Sequence, residues 1–307
     1  MAAGNYSLQG KAVFITGAAR GIGAECARRC AQRGAKIALV GLEPEELPKV
    51  AAECGPEAIW FEADVRDTES LQAAVDGTVE RFGGIDVCIS NAGIAGGGPV
   101  RLVSEEAIER IVEVNLLGSM RTVKACLPHV IERRGYILQV ASVAAAIHSP
   151  GMSGYATSKA GIEAYANCLR AEVKHLGVGV GVGYFSWIDT DLVRGADERR
   201  GYRTLRAKLR GPLATTHPVS AVGDAVLAGI ESKSRWVVVP GWVRSLLYMR
   251  TVAQLISEAQ GARNMPEAEQ LAREEYAEIG EEQASLPVGP GGRAAAESAR
   301  GRAAARS

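Results

Sequence analysis

No charge of one sign dominates this chain: its 307 residues carry 35 Lys and Arg against 35 Asp and Glu. A balanced molecule has no global field to draw it onto nucleic acid or an anionic membrane, so no nucleic-acid partner is expected. No apolar run reaches the roughly 18 residues that a membrane-spanning helix needs, which argues against stable membrane insertion. The cysteines (Cys26, Cys30, Cys54, Cys88, Cys126 and Cys168) include no C-x-x-C pair and no metal-ligand spacing. Cys26 and Cys30 share one face of an expected helix, but thiols without nearby His make a poor zinc site, so no metal is expected. Buried free thiols in a reducing compartment fit better. The opening MAAGNYSLQG is too short and too polar for a signal peptide, and the expected address is cytoplasmic. No internal repeat is visible.

What is present is a regular alternation. Lys11 to Thr16 (KAVFIT), Lys36 to Val40, Ala58 to Ala63, Asp86 to Ser90 (DVCIS), Tyr136 to Ala141, Gly179 to Tyr184 and Trp236 to Val239 are short apolar runs separated by helical patterns. Strands apolar throughout, rather than alternating, are what a parallel sheet covered on both faces requires. The expected fold class is α/β, a Rossmann-type doubly wound parallel sheet of about seven strands. Trp242 to Glu258 has a broad apolar face at helical spacing, and Pro266 to Ala284 is acidic and helical. Leu286 to Ser307 consists mostly of Gly, Ala, Pro, Ser and Arg, without periodic apolar positions. The expected organisation is a catalytic domain over 1–258, a helical extension over 259–285 and a disordered tail over 286–307.

The first chemical signal follows the first strand. Gly17-Ala18-Ala19-Arg20-Gly21-Ile22-Gly23 opens a helix rich in Ala and Arg. Glycines there let backbone approach a pyrophosphate, and the helix N-terminus offers free N–H groups and a positive dipole end to its charge. The doubly wound fold places its cofactor at this turn.

Thr16, Gly17, Gly21 and Gly23, followed by Asn91-Ala92-Gly93 after the fourth strand, Asn115, Ser142, Tyr155 and Lys159, resemble the short-chain dehydrogenase/reductase family over about the first 240 residues. The resemblance implies an NAD(P)-dependent oxidoreductase. It makes Tyr155 the acid/base at the alcohol oxygen, Ser142 the group that polarises the carbonyl, and Lys159 a ligand of the nicotinamide ribose. Asn115 would hold a water linking Lys159 to solvent. Asp64, followed by Val65, resembles the family's adenine-contacting acid, and a helix-cap role competes with that reading.

Physics gives the stretch GYATSK the same sense. Tyr155 and Lys159, four apart, share one helix face, and an adjacent ammonium is expected to lower a phenol pKa from its usual value near 10. A core tyrosine beside a snorkelling lysine is the bland competitor. Ser142, at the carboxyl end of the fifth strand, tips the balance, because such sheets bind ligands there.

Two departures from the family pattern stand out. The second strand ends Val40-Gly41-Leu42-Glu43, with neither the usual acid that selects NAD nor the usual arginine that selects NADP. Arg20 could reach a 2′-phosphate, which tips the expectation slightly to NADP, while Glu43 lies close enough to repel one or to replace the missing acid. After the sixth strand the usual Pro-Gly is replaced by Tyr184-Phe185-Ser186-Trp187-Ile188-Asp189-Thr190, with Thr190 retained and Ile188 beside it for the carboxamide.

Asp191 to Pro218 carries six arginines (Arg194, Arg199, Arg200, Arg203, Arg206 and Arg210). They read either as a lid whose cations meet an acidic substrate or a phosphopantetheine-type carrier, or as a solvated helix with balanced charge, and the second is the commoner outcome. Ala144 to Ile147 and Met152 promise apolar walls, so the expected small-molecule substrate is a lipophilic secondary alcohol or ketone. The resemblance also implies a homodimer or homotetramer. The alternative class is a non-catalytic nucleotide sensor or scaffold that keeps the fold.

Overall fold

A computed structural model describes residues 6–306, with side chains through 301; the first five residues of the N-terminal stretch lie outside the described range. Seven strands, β1 (Ala12–Thr16), β2 (Lys36–Gly41), β3 (Ile59–Glu62), β4 (Val87–Ser90), β5 (Tyr136–Val140), β6 (Gly179–Phe185) and β7 (Trp236–Val239), form one sheet ordered β3-β2-β1-β4-β5-β6-β7. Every pairing is parallel. The continuous apolar runs have the cause expected of them: β1 is buried along its whole length, with Val13 and Ile15 in one core layer and Phe14 in the other. Each fully buried side chain of this size contributes about 1.5–3 kcal/mol.

The chain builds outward from β1 to β3, returns to the other side of β1 with β4, and continues to β7. The reversal leaves a crevice at the carboxyl ends of β1 and β4, and that is where doubly wound sheets bind ligands. Helix Gly21–Gln32 rises from β1 into the first layer, and helix Ser153–Val173 covers β5 and β6 in the second.

The C-terminal region departs from the expected organisation in two ways. Helix Arg250–Ile279 runs unbroken through position 258, so no boundary falls there. Its Ala268 and Ala272 are buried against lid helix Arg200–Ala207, where a β-carbon on Gly201 would come within 2.8 Å of the Ala268 main-chain oxygen. The expectation of a disordered tail over 286–307 is also overturned for its described part, because Gly289–Arg306 is a helix packed onto helix Asp191–Asp197; Ser307 lies outside the described residues. Alanine methyls and hydrogen bonds to main-chain and polar atoms dock it, and these do not register as a periodic apolar stripe.

Candidate active site

The glycine turn is shaped by three different demands. Gly17 and Gly21 adopt φ of 63° and 54°, a region unfavourable to residues with a β-carbon. A β-carbon on Gly23 would lie 2.2 Å from the Gly17 carbonyl oxygen. Gly23 therefore supports the turn from behind, whereas Gly17, Arg20, Gly21 and Ile22 line the cleft. Across the crevice, Asn91 Nδ2 donates to the Thr16 and Gly17 carbonyls at 3.0 Å each, and Thr16 Oγ1 accepts from the Asn91 and Ala92 amides. This tie holds the ends of β1 and β4 in fixed relation. The cradle fits a pyrophosphate: open backbone at a helix start, with no β-carbon in the way.

The same cleft gathers Asp64, Val65, Asn91, Ala92, Gly93, Ser142, Tyr155, Lys159, Ile188 and Thr190, a cavity of about 220 Å³. Ser142 and Tyr155 also line a second cavity of about 590 Å³, walled by Ala144, Ile147, Met152, Leu205, Trp242 and Met249 among others. The two residues stand where the cavities meet.

Lys159 is 4% exposed, and its ammonium donates to the Val140 carbonyl at the end of β5 at 2.9 Å. Burial lowers its pKa to about 8. Burial also raises Tyr155 above the usual phenol value, and the Ser142 hydroxyl draws it back only part of the way. The expected lowering of the Tyr155 pKa by Lys159 is therefore absent here. Desolvation wins, since a buried phenol loses more from shedding water than it regains from an ammonium committed to a carbonyl.

Asn115 sits in a π-helical turn, Glu113–Leu117, and is fully buried. Its Oδ1 accepts from the Ile94 amide at 2.8 Å, and its Nδ2 donates to the Ile94 carbonyl and to Ser158 Oγ at 3.0 Å each. Both amide hydrogens are thus spent on locking the loop after β4 to the tyrosine helix, leaving only oxygen lone pairs for a solvent molecule. A β-carbon on Gly93 would lie 3.2 Å from Asn115 Oδ1 and 3.4 Å from Lys159 Nζ, so that glycine keeps the approach to both open.

Arg20 is not a free cation. It donates to both Glu43 carboxylate oxygens and, at 3.1 Å, to Asp191. Asp64 is held below the usual carboxylate range: burial alone would raise it, but hydrogen bonds from Arg66 and Ser298 outweigh that. Among the lid arginines, Arg194, Arg199, Arg200 and Arg206 each pair with a carboxylate, so the balanced-charge reading holds for them. Arg206 also stacks over Trp187 at 4.7 Å. The sequence missed Tyr202, Leu205, Ala268 and Tyr276 as cavity walls, because their role depends on the long helix folding back over the lid. No cluster suited to a metal occurs among the described residues.

The short chain dehydrogenase family model matches residues 11–201. The chain belongs to the short-chain dehydrogenase/reductase family. It is 32% identical over 259 residues to dehydrogenase/reductase SDR family member 7B of Bos taurus, covering 78% of this chain and 77% of that one. It is 30% identical over 227 residues to 3-oxoacyl-acyl-carrier-protein reductase FabG of Vibrio cholerae, covering 74% and 93% respectively. The fold is also that of a short-chain dehydrogenase/reductase from Burkholderia phymatum in complex with NAD, with a TM-score of 0.72 and 22% identity over 83% of this chain and 96% of that one. As a member of this family the protein is an NAD(P)-dependent oxidoreductase.

Proposed function

We propose that the protein transfers a hydride between nicotinamide and a lipophilic secondary alcohol or ketone, with Tyr155 as the acid/base. The observation that carries this reading is the position of Ser142 and Tyr155 at the junction of the nucleotide cleft and the larger, mostly apolar cavity. A bound nicotinamide supplies the hydride donor or acceptor. In reduction, the Ser142 hydroxyl donates to the substrate carbonyl oxygen and the Tyr155 phenol delivers a proton to that oxygen as charge develops on it. In oxidation the phenol oxygen takes the proton back. A phenol kept protonated by burial is suited to the reductive direction. Lys159, anchored on Val140, holds the nicotinamide ribose and supplies positive charge as the phenol ionises; Asn115 orients the loop beside it. Thr190 and Ile188 serve the carboxamide, and Asp64 and Val65 the adenine.

The expectation of NADP rested on Arg20 reaching a 2′-phosphate despite the nearby Glu43. With that guanidinium held by Glu43 and Asp191, a 2′-phosphate would meet two carboxylates, and we propose NAD(H) instead. Met249, Val252 and Ile256 line the larger cavity, while Tyr248 and Leu255 remain exposed outside it on helices Val243–Tyr248 and Arg250–Ile279, which supports a homodimer or homotetramer through this face. No described helix is long and apolar enough to cross a membrane, and a cytoplasmic address is retained as part of this proposal.

The cavity predicts a chain-length dependence. Across a series of methyl ketones of increasing length, kcat/KM with NADH should rise about threefold to fourfold per methylene, from about 0.8 kcal/mol per buried CH₂, until the cavity is filled. A flat or falling series would contradict a lipophilic substrate.

A further inference from the structure

The terminal helix, Gly289–Arg306, lies across the nucleotide cleft. Asp64, the carboxylate assigned to adenine, accepts from Ser298 Oγ at 2.6 Å and from the Arg66 guanidinium. The same guanidinium donates to the Ala295 main-chain oxygen at 2.9 Å. Ala295 is 2% exposed and sits in an apolar cluster with Val65, Ile94 and Val114. At the other end the Val288 amide donates to the Ala95 carbonyl at 2.8 Å, and a β-carbon on Gly289 would come within 2.9 Å of the Asp191 main-chain oxygen. Residues 288–298 thus run along the cleft from the loop after β4 to Asp64. The space left, about 220 Å³, is below the roughly 300–1,000 Å³ that drug-sized ligands occupy, and a dinucleotide is larger than those.

We propose that the C-terminal helix is a plug for the adenosine half of the cofactor cleft, docked on Asp64 and Arg66 and displaced when an adenine dinucleotide binds. The proposal rests on the reading of this cleft as the dinucleotide site. Ala295 and Ser298 fill the space beside Val65 and Asp64 that adenine would take, so docking and binding exclude each other. The helix is suited to release: Gly291, Gly292 and Gly301 weaken it, and the methyls of Ala295 and Ala296 bury little area. Apparent affinity falls by the fraction of molecules in which the helix is undocked, so the plug sets the threshold at which cofactor binds. Ligands that carry adenosine feel it most.

Calorimetric titration of ADP-ribose and of nicotinamide mononucleotide into the full chain, a chain ending at Ser285, and full-length Ala295→Glu separates the outcomes. The plug predicts ADP-ribose binding about tenfold or more tighter to both altered chains, with the mononucleotide affinity of Ala295→Glu equal to that of the full chain. Amide exchange over 289–301 of the full chain should speed up when ADP-ribose saturates it. Unchanged ADP-ribose affinity, or weaker binding after truncation as a clamp would give, overturns the plug while leaving the cleft assignment standing. If ADP-ribose fails to bind even the truncated chain, the dinucleotide reading falls, and the plug with it.

Discussion

The Lys159 ammonium lies 5.7 Å from the centroid of the Tyr155 ring but gives its hydrogen bond to the Val140 carbonyl. The two side chains share a helix face, as a spacing of four residues dictates, and the cation is fastened to the end of β5. Burial moves both groups toward their neutral forms, the phenol upward and the ammonium down to about 8.

That depressed lysine has a signature in stability. Lys159 falls from an ordinary 10.5 to about 8, so between those values the unfolded chain binds more protons than the folded one, and this group's contribution to stability rises with pH. Below pH 8 its burial costs about 3 kcal/mol, at about 1.36 kcal/mol per pKa unit. Lys159→Met removes the titration. Urea unfolding of both proteins should give a stability difference, wild type minus variant, that is flat from roughly pH 6 to 7 and climbs above roughly pH 8. A difference flat across the whole range would contradict the assignment.

Cofactor choice turns on Glu43, whose side chain is 15% exposed and paired to Arg20. Glu43→Gln removes one negative charge and one charge-assisted hydrogen bond, releasing Arg20 toward a 2′-phosphate. The ratio of NADPH to NADH affinity should rise about tenfold, equivalent to about 1.4 kcal/mol. An unchanged ratio in fluorescence titration would remove Glu43 from the specificity account.

Assembly is tested on the exposed apolar face. Leu255 is 63% exposed on helix Arg250–Ile279, and Leu255→Glu should shift light scattering from dimer or tetramer to monomer, with the fold retained by circular dichroism. A monomeric wild type at micromolar concentration would refute the interface.

The strands were legible because the inner ones, β1, β4, β5 and nearly all of β2 and β6, are buried runs without alternation, while the edge strands β3 and β7 keep enough apolar residues to be found despite their alternating exposure, so β1 to β7 lie where the sequence places them, to within a residue or two. The residues at the cleft were legible because glycine, phenol, ammonium and hydroxyl occur at spacings that a strand–turn–helix unit brings together. Two things were not legible. Lys159 reads as tuning Tyr155, since spacing shows that they share a face but not that Val140 takes the lysine's hydrogen bond or that both groups are dry. Residues 286–307 read as disordered, since Ala295 and Ser298 gain their meaning only from Arg66 and Asp64, more than two hundred residues away in the chain.

The central claim, that Tyr155 is the proton donor at the junction of the two cavities, is tested most directly by Tyr155→Phe. The substitution deletes one hydroxyl and leaves the ring. NADH affinity should stay within about twofold and turnover of the best ketone should fall about 10²- to 10⁴-fold, the usual contribution of general acid–base catalysis. A loss of less than about tenfold, with cofactor affinity intact, would contradict the assignment.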